Sequence, residues 1–200
     1  MSINEQMLTT GYAAEVEAWR QEMDRQMRAP GPWGWLAIVG MYPLKQGQNT
    51  VGSAPESDVL LPAGAAPEQI GILDFQGETG TLHVTTDEMV TVDGVETRDA
   101  VLRNHYAPGG MSVVQVRDVS FGMMQWASDP YNVRVWDANS PKRLNFSGRV
   151  WYPLDSSYRV EGRFTPYPQT QTMTVAHTGG LTQALKNTGY VEFELKGQAF

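Results

Sequence analysis

The chain has 200 residues, of which 41% are hydrophobic and 18% are charged, a composition typical of a folded globular protein. Its formal net charge of −7 disfavours general binding to nucleic acid, because an acidic surface repels a phosphate backbone. The chain contains no cysteine, which excludes disulfides, thiolate nucleophiles and cysteine metal ligands.

The first residues lack the basic and apolar regions of a signal peptide. No apolar run approaches the roughly 20 residues that a membrane-spanning helix needs. We therefore expect a soluble, cytoplasmic protein that does not bind a membrane.

The N-terminal segment has a helical pattern. Its large apolar residues recur at spacings of three or four: Leu8, Tyr12, Val16, Trp19, Met23 and Met27. This stripe predicts an amphipathic helix that ends before Pro30-Gly31-Pro32. We expect the stripe to pack on a β core, and the alternative is that it forms the interface of a homodimer.

The chain after Pro32 has a β pattern, in which short apolar runs alternate with Gly, Pro, Asn and Asp turns. The predicted strands are Trp35–Val39, Asp58–Leu61, Ile70–Phe75, Thr81–Thr85, Met89–Val92, Val113–Arg117, Phe121–Trp126, Asn132–Trp136, Arg149–Tyr152, Arg159–Phe164, Thr172–His177 and Val191–Leu195. Asp93-Gly94, between two apolar runs, predicts a tight hairpin turn.

These patterns predict a mainly β fold, in which an N-terminal amphipathic α-helix packs on a β-sandwich and a second antiparallel β unit follows. The pattern breaks at residues 138–141, so the predicted domains are the helix (1–30), the sandwich (31–137) and the second unit (138–200). Most tryptophans are expected in the core: Trp33, Trp35, Trp126, Trp136 and Trp151.

Motifs for metal, cofactor and nucleophilic chemistry are absent from the sequence. His83, His105 and His177 are far apart and have no metal-ligand spacing. No G-x-S-x-G elbow, phosphate-binding loop or dinucleotide fingerprint occurs. We therefore expect no metal and no cofactor.

Two segments concentrate arginine, acidic and aromatic side chains. In Asn132–Asp137, strand alternation places Arg134 on the face opposite Asp137. In the second segment, Trp151, Tyr158 and Arg159 come close together along the chain. Such groups form either structural ion pairs, which we favour, or a pocket for an anion or an aromatic ring.

Motifs along the chain resemble a known family. They are Gly34-Trp35-Leu36, Gly47–Ser53, Asp58–Pro62, Tyr131–Asp137, Phe146-Ser147-Gly148, Trp151-Tyr152-Pro153 and Tyr158-Arg159-Val160. In this order they resemble the bacterial family called domain of unknown function 1684, which implies no defined activity. Members of that family continue past the position of Phe200, so we expect the second β unit to be incomplete at its C-terminus.

Asn49–Ser53 and Asp58–Pro62 also resemble the opening of a forkhead-associated domain, a β-sandwich that binds phosphothreonine. In that family an arginine holds the phosphate, and Ser53 stands at its position here. A phosphate dianion needs charge-assisted donors. The resemblance therefore implies the sandwich without phosphothreonine recognition.

Two functions remain open from the sequence. The favoured one is a binding or scaffold module that takes a protein partner or a small anionic molecule. The alternative is a hydrolase- or lyase-type enzyme with a pocket between the two β units. There Arg134, Arg159 and Trp151 would bind a small anionic substrate, and Asp137 or Tyr158 would transfer a proton.

Overall fold

The structure is a computed structural model that describes residues 3–125, 130–176 and 182–200. The helices are α1 (Ile3–Met27) and α2 (Pro141–Leu144). The strands are β1 (Ile38–Pro43), β2 (Gly47–Gly52), β3 (Val59–Leu60), β4 (Gly71–Gln76), β5 (Thr79–Val84), β6 (Thr91–Val92), β7 (Val95–Glu96), β8 (Asp99–Leu102), β9 (Val114–Val116), β10 (Val119–Met124), β11 (Asn132–Asp137), β12 (Gly162–Ala176), β13 (Thr182–Leu195) and β14 (Gln198–Ala199). The fold is mainly β with an N-terminal helix, as the sequence predicts.

Helix α1 confirms the helical periodicity of the N-terminal segment. It ends shortly before Pro30-Gly31-Pro32, because proline lacks the amide hydrogen that a helix interior needs. Along its stripe Val16 and Met23 are half-buried, while Trp19 is 52% exposed. A homodimer through this stripe stays a prediction. Among the described helices, none combines the length and apolarity that crossing a membrane requires.

The central part of the chain forms two sheets. One sheet has the strand order β1-β11-β10-β9-β6-β7, and the other has the order β3-β2-β4-β5-β8. Strands β2 and β3 pair in parallel, and the other described pairings are antiparallel. Apolar side chains from both sheets form one core, which includes Val51, Leu73, Phe75, Leu82, Phe121, Met123, Val133 and Val135. The two sheets are therefore the layers of a β-sandwich.

Strand β11 is buried on both of its faces. Val133 and Val135 point into the core between the sheets. Trp136, on the opposite face, is fully buried with Ala37 and Met124 in a second apolar cluster. This double burial fixes the position of both ends of β11, including Asp137.

The hairpin between β6 and β7 confirms the turn predicted at Asp93-Gly94. Val92 pairs with Val95, and the two turn residues have φ angles of 52° and 82°. Two consecutive positive φ angles are the geometry of a type I′ turn, which favours glycine and aspartate.

Several strand predictions were wrong. Trp35–Ala37 forms a 3₁₀ turn, and Arg149–Tyr152 forms no regular strand. Strands β2 and β8 were missed, because β2 carries glycine and polar residues instead of an apolar alternation. Strand β2 nevertheless lies between β3 and β4 in its sheet. The buried side-chain amide of Asn49, on β2, donates to the carbonyl of Lys45 over 2.9 Å.

The expectation that most tryptophans lie in the core holds for Trp136 and is wrong for Trp33 and Trp35, which are 64% and 69% exposed. Both lie in the turn after α1, where the amide of Gly34 donates to the carbonyl of Gly31. This turn directs Ala37 inward instead. Trp151 is half-buried, and Trp126 lies outside the described residues.

The contacts divide the chain into two units. One unit, Glu17–Arg149, contains the sandwich. The other combines Met1–Val16 with Val150–Phe200, where β12 and β13 form a long antiparallel ribbon and β14 pairs with the end of β13. The domain boundaries predicted after residues 30 and 137 stay a prediction, because contacts do not test whether a segment folds independently.

The close approach of β4 and β5 predicts the effect of a glycine substitution. A Cβ at Gly71 would overlap the carbonyl oxygen of His83, so we expect Gly71→Ala to destabilise the fold by about 1–3 kcal/mol. The matched control is Gly11→Ala, because Gly11 lies in α1 with open space around it. The control should raise the stability by up to about 1 kcal/mol. Urea unfolding measures both, and equal effects would contradict the packing described here.

Candidate ligand-binding cleft

A cleft of about 450 Å³ opens in the sandwich unit beside β1 and β3, the edge strands of the two sheets. It is lined by Val39, Tyr42, Ser53, Pro55, Leu60, Leu61, Pro62, Ala63, Asp137 and Pro141. Most of these side chains are apolar, and Asp137 supplies the carboxylate. A concave apolar surface with one charged group is the usual form of a small binding site.

Asp137 is the last residue of β11 and is only 8% exposed. Its Oδ1 atom accepts a hydrogen bond from the amide of Asn139 over 2.7 Å, and its carbonyl accepts one from Ser140 over 3.1 Å. These bonds close a turn directly after the strand. The carboxylate is therefore held in one orientation at the cleft.

The turn after Asp137 is anchored by Arg143. Its Nη1 atom donates to the carbonyl of Ala138 over 2.6 Å, and its Nε atom donates to the carbonyl of Arg28 over 2.7 Å. The second carbonyl lies just past the end of α1, where helix carbonyls lack partners within the helix. Arg143 thus joins the end of α1 to the segment that brings Pro141 to the cleft.

The wall on the β3 side is held by Asp58. Its Oδ2 atom accepts hydrogen bonds from the amide of Thr50 over 3.0 Å and from its hydroxyl over 3.1 Å, and Lys45 forms an ion pair with Oδ1. The hydrogen bond from Lys45, followed by that from the Thr50 amide, holds the pKa of Asp58 below its usual value. This network ties the loop before β3 to β2.

The structure places Arg134 and Asp137 on opposite faces of β11. Arg134 is half-buried beside Met41, its partner on β1, and burial lowers the pKa of its guanidinium. Burial, followed by the charge of Arg134, lowers the pKa of His105. Arg134 and Asp137 therefore point to opposite sides of the strand, and their predicted roles stay a prediction.

The other predicted site residues belong to the unit that combines Met1–Val16 with Val150–Phe200. Tyr158 is exposed in a 3₁₀ turn, where its hydroxyl accepts a hydrogen bond from Lys196 over 3.2 Å. The guanidinium of Arg159 lies 4.9 Å from the ring centre of Tyr12. Trp151 is half-buried in the segment before that turn. Tyr158 and Arg159 are therefore close only because they are adjacent in sequence. Tyr158 contacts Lys196, whereas Arg159 contacts Tyr12.

The two histidines that the structure describes, His83 and His105, show no metal geometry. His83 is exposed, and its Nδ1 atom lies 2.6 Å from Asp99. The Nδ1 atom of His105 accepts a hydrogen bond from the amide of Gln125 over 3.3 Å. Within the described ranges, no group of three or more His, Asp or Glu residues is placed to hold a metal ion. His177 lies outside those ranges.

Asp137, which the sequence singled out, lines the cleft, and the sequence did not predict the apolar walls. Val39 and Leu60 come from edge strands that are far apart in sequence, and their apolar character predicts only strands. Three prolines line the cleft, Pro55, Pro62 and Pro141. Proline restricts the backbone, so these residues are a weak sequence signal for the rigid loops at the cleft.

Residues 144–199 match the sequence model of the family described as "Protein of unknown function (DUF1684)". The resemblance predicted from the motifs is confirmed for this C-terminal part of the chain. None of the curated proteins compared with the chain matches it.

Solved structures of FHA domains are similar to part of the chain. The FHA domain of FhaA, in complex with the intracellular domain of Rv3910, is 15% identical over 47% of this chain and 85% of that chain, with a TM-score of 0.34. An FHA domain from a study of phosphothreonine-dependent interactions is 14% identical over 48% and 81%, with a TM-score of 0.34. The Rv0020c FHA domain is 13% identical over 49% and 94%, with a TM-score of 0.32.

The Asp58 network predicts a pH dependence. A carboxyl whose pKa is lowered by folding stabilises the protein above its unfolded pKa of about 4, and that contribution is lost as the pH falls through the lower folded pKa. We expect the stability difference between the wild type and Asp58→Asn to be constant above about pH 5 and to shrink as the pH falls below that value through the lowered folded pKa. Urea unfolding at each pH measures this difference, and a difference that stays constant over the whole pH range would contradict the network.

The matched control for this prediction is Asp87→Asn. Asp87 is exposed, and none of the described residues donates a hydrogen bond to its side chain. Replacing an exposed side chain of this kind typically changes stability by less than about 0.5 kcal/mol.

Proposed function

We propose that this protein is a non-catalytic binding module whose cleft receives an apolar chain that ends in a cation, such as a lysine side chain of a protein partner. The observation that carries the proposal is the buried Asp137 carboxylate at the wall of a mainly apolar cleft. An alkyl chain would contact the apolar walls, and its ammonium group would pair with the carboxylate.

Charge supports a cationic ligand over an anionic one at this site. The only charged side chain among the described lining residues is Asp137. In an apolar cleft the attraction between opposite charges is stronger than in water, and an anion would meet a carboxylate without a compensating donor. The net charge of −7 adds a long-range attraction for basic partners.

The cleft proposal includes no phosphothreonine recognition. Ser53 stands where the forkhead-associated domains of the sequence resemblance carry their phosphate-binding arginine. Its hydroxyl donates to the carbonyl of Ala66 over 2.9 Å. Arg117, which reaches the carbonyl of Gly64 in the same loop, forms an ion pair with Glu88. Ser53 and Arg117 therefore already have partners within the protein, so neither side chain is available to donate to a phosphate.

We place the enzyme alternative second. It needs Arg134 and Asp137 to act on one substrate, and these side chains lie on opposite faces of β11. A binding role needs only the cleft walls and one carboxylate. The binding module is therefore the simpler account of the described geometry.

Hexylammonium tests the proposal, with hexanol and hexanoate as probes of equal chain length. We expect hexylammonium to bind with a dissociation constant on the order of millimolar, hexanol to bind more weakly, and hexanoate to bind most weakly. Asp137→Asn should weaken hexylammonium binding about tenfold and leave hexanol binding unchanged, because only the charge pair is lost. NMR chemical-shift titration measures each affinity.

Two variants complete the design. Asp87→Asn removes one exposed carboxylate away from the cleft and should bind hexylammonium as the wild type does. Val39→Trp, on the 40% exposed rim of the cleft, should weaken the binding of all three probes by narrowing the site. Equal binding of hexanoate and hexylammonium to the wild type would overturn the proposal.

A further inference from the structure

The ribbon formed by β12 and β13 has one apolar face and one polar face. Side chains alternate along β13, and each β12 residue shares the face of the residue with which it pairs. The pairs Phe164–Val191 and Met173–Leu185 lie on one face with Phe193, and the polar pair Gln171–Asn187 lies between them, where the register of β12 shifts. We call this surface the apolar ribbon face.

All the charged residues within the two strands lie on the opposite face: Arg163, Lys186, Glu192 and Glu194. Arg163 pairs directly with Glu192, so two of these charges oppose each other across the strands. The apolar ribbon face carries no charged side chain. This separation is the pattern of a sheet with one solvated face and one covered face.

The apolar ribbon face is nevertheless open to solvent within one chain. Phe164 is 56% exposed and Val191 is 52% exposed, and Met173 is 49% exposed. A two-stranded ribbon is at best marginally stable in water unless its apolar face packs against another element. A surface of this kind marks an interaction site.

The charge of the segment favours a second copy of the same chain as the partner. Residues 150–200 contain four basic residues (Arg159, Arg163, Lys186 and Lys196) and four acidic residues (Asp155, Glu161, Glu192 and Glu194), so their net charge is 4 − 4 = 0. The whole chain has a net charge of −7, so two copies repel each other where their acidic surfaces meet. The ribbon is a neutral surface through which they can associate without that repulsion.

The size of the face also fits a dimer. At about 3.3 Å per residue, the paired part of β13, Thr182–Phe193, extends about 40 Å, and two strands are about 10 Å wide. The projected area of about 400 Å² is of the same order as the roughly 800 Å² that each partner buries in a standard interface.

We propose that two copies of this chain form a two-fold symmetric dimer in which the apolar ribbon faces pack against each other. A two-fold axis makes the interface self-complementary, since each copy contributes the same surface. The sheets then pack face to face as the layers of a sandwich, about 10 Å apart. This proposal does not depend on the cleft or its ligand.

Adjacent residues of β12 provide a matched test. Met173→Lys places a charge on the apolar ribbon face, and Thr174→Lys places the same charge on the polar face one residue away. Sedimentation equilibrium of the full chain over a range of concentrations measures the mass. We expect the wild type and Thr174→Lys to dimerise with similar dissociation constants, and Met173→Lys to dimerise at least about tenfold more weakly, because burial of an unpaired ammonium is unfavourable.

Hydrogen exchange provides a second readout that does not depend on the variants. In the wild type the amides of β12 and β13 should become more protected as the protein concentration rises, while those of β10 and β11 should not change. Three results would overturn the proposal: a monomeric wild type at concentrations in the hundred-micromolar range, equal dimerisation by Met173→Lys, or open-ended association instead of a dimer. A monomer in which the ribbon amides are protected would indicate that a second copy is not needed to cover this face.

Discussion

The burial of β11 on both faces is the constraint on which the sandwich and its cleft depend. Val133 and Val135 fill the core between the sheets, and Trp136 fills a separate cluster on the other side. A strand buried in this way cannot shift its register by one residue, because the shift would exchange the two sets of side chains. The position of Asp137 at the end of the strand is fixed as a consequence.

The cleft follows from the way in which the sheets end. Strands β1 and β3 are the edge strands of the two layers, and the sandwich is not closed beside them. The loop before β3 is held by Asp58, and the segment after β11 is held by Arg143, so both walls are supported by polar contacts. The cleft beside Asp137 is therefore largely preorganised, so under the proposed binding role a ligand would require little further ordering of these walls.

The sequence predicted the features that depend on local patterns, such as the stripe of α1 and the Asp93-Gly94 turn. It also predicted the two faces of β11, since alternation alone separates Arg134 from Asp137. It could not predict β2, whose glycines and polar residues are stabilised by neighbours on both sides, or the exposure of Trp33 and Trp35. The cleft was missed for the same reason, because its walls meet only through long-range packing.

A crystal structure of the protein with hexylammonium tests the central claim most directly. The account predicts that the ammonium nitrogen lies about 3 Å from a carboxylate oxygen of Asp137, with the alkyl chain between β1 and β3. Hexylammonium bound elsewhere on the protein, with the cleft filled only by water at a saturating concentration, would contradict the account.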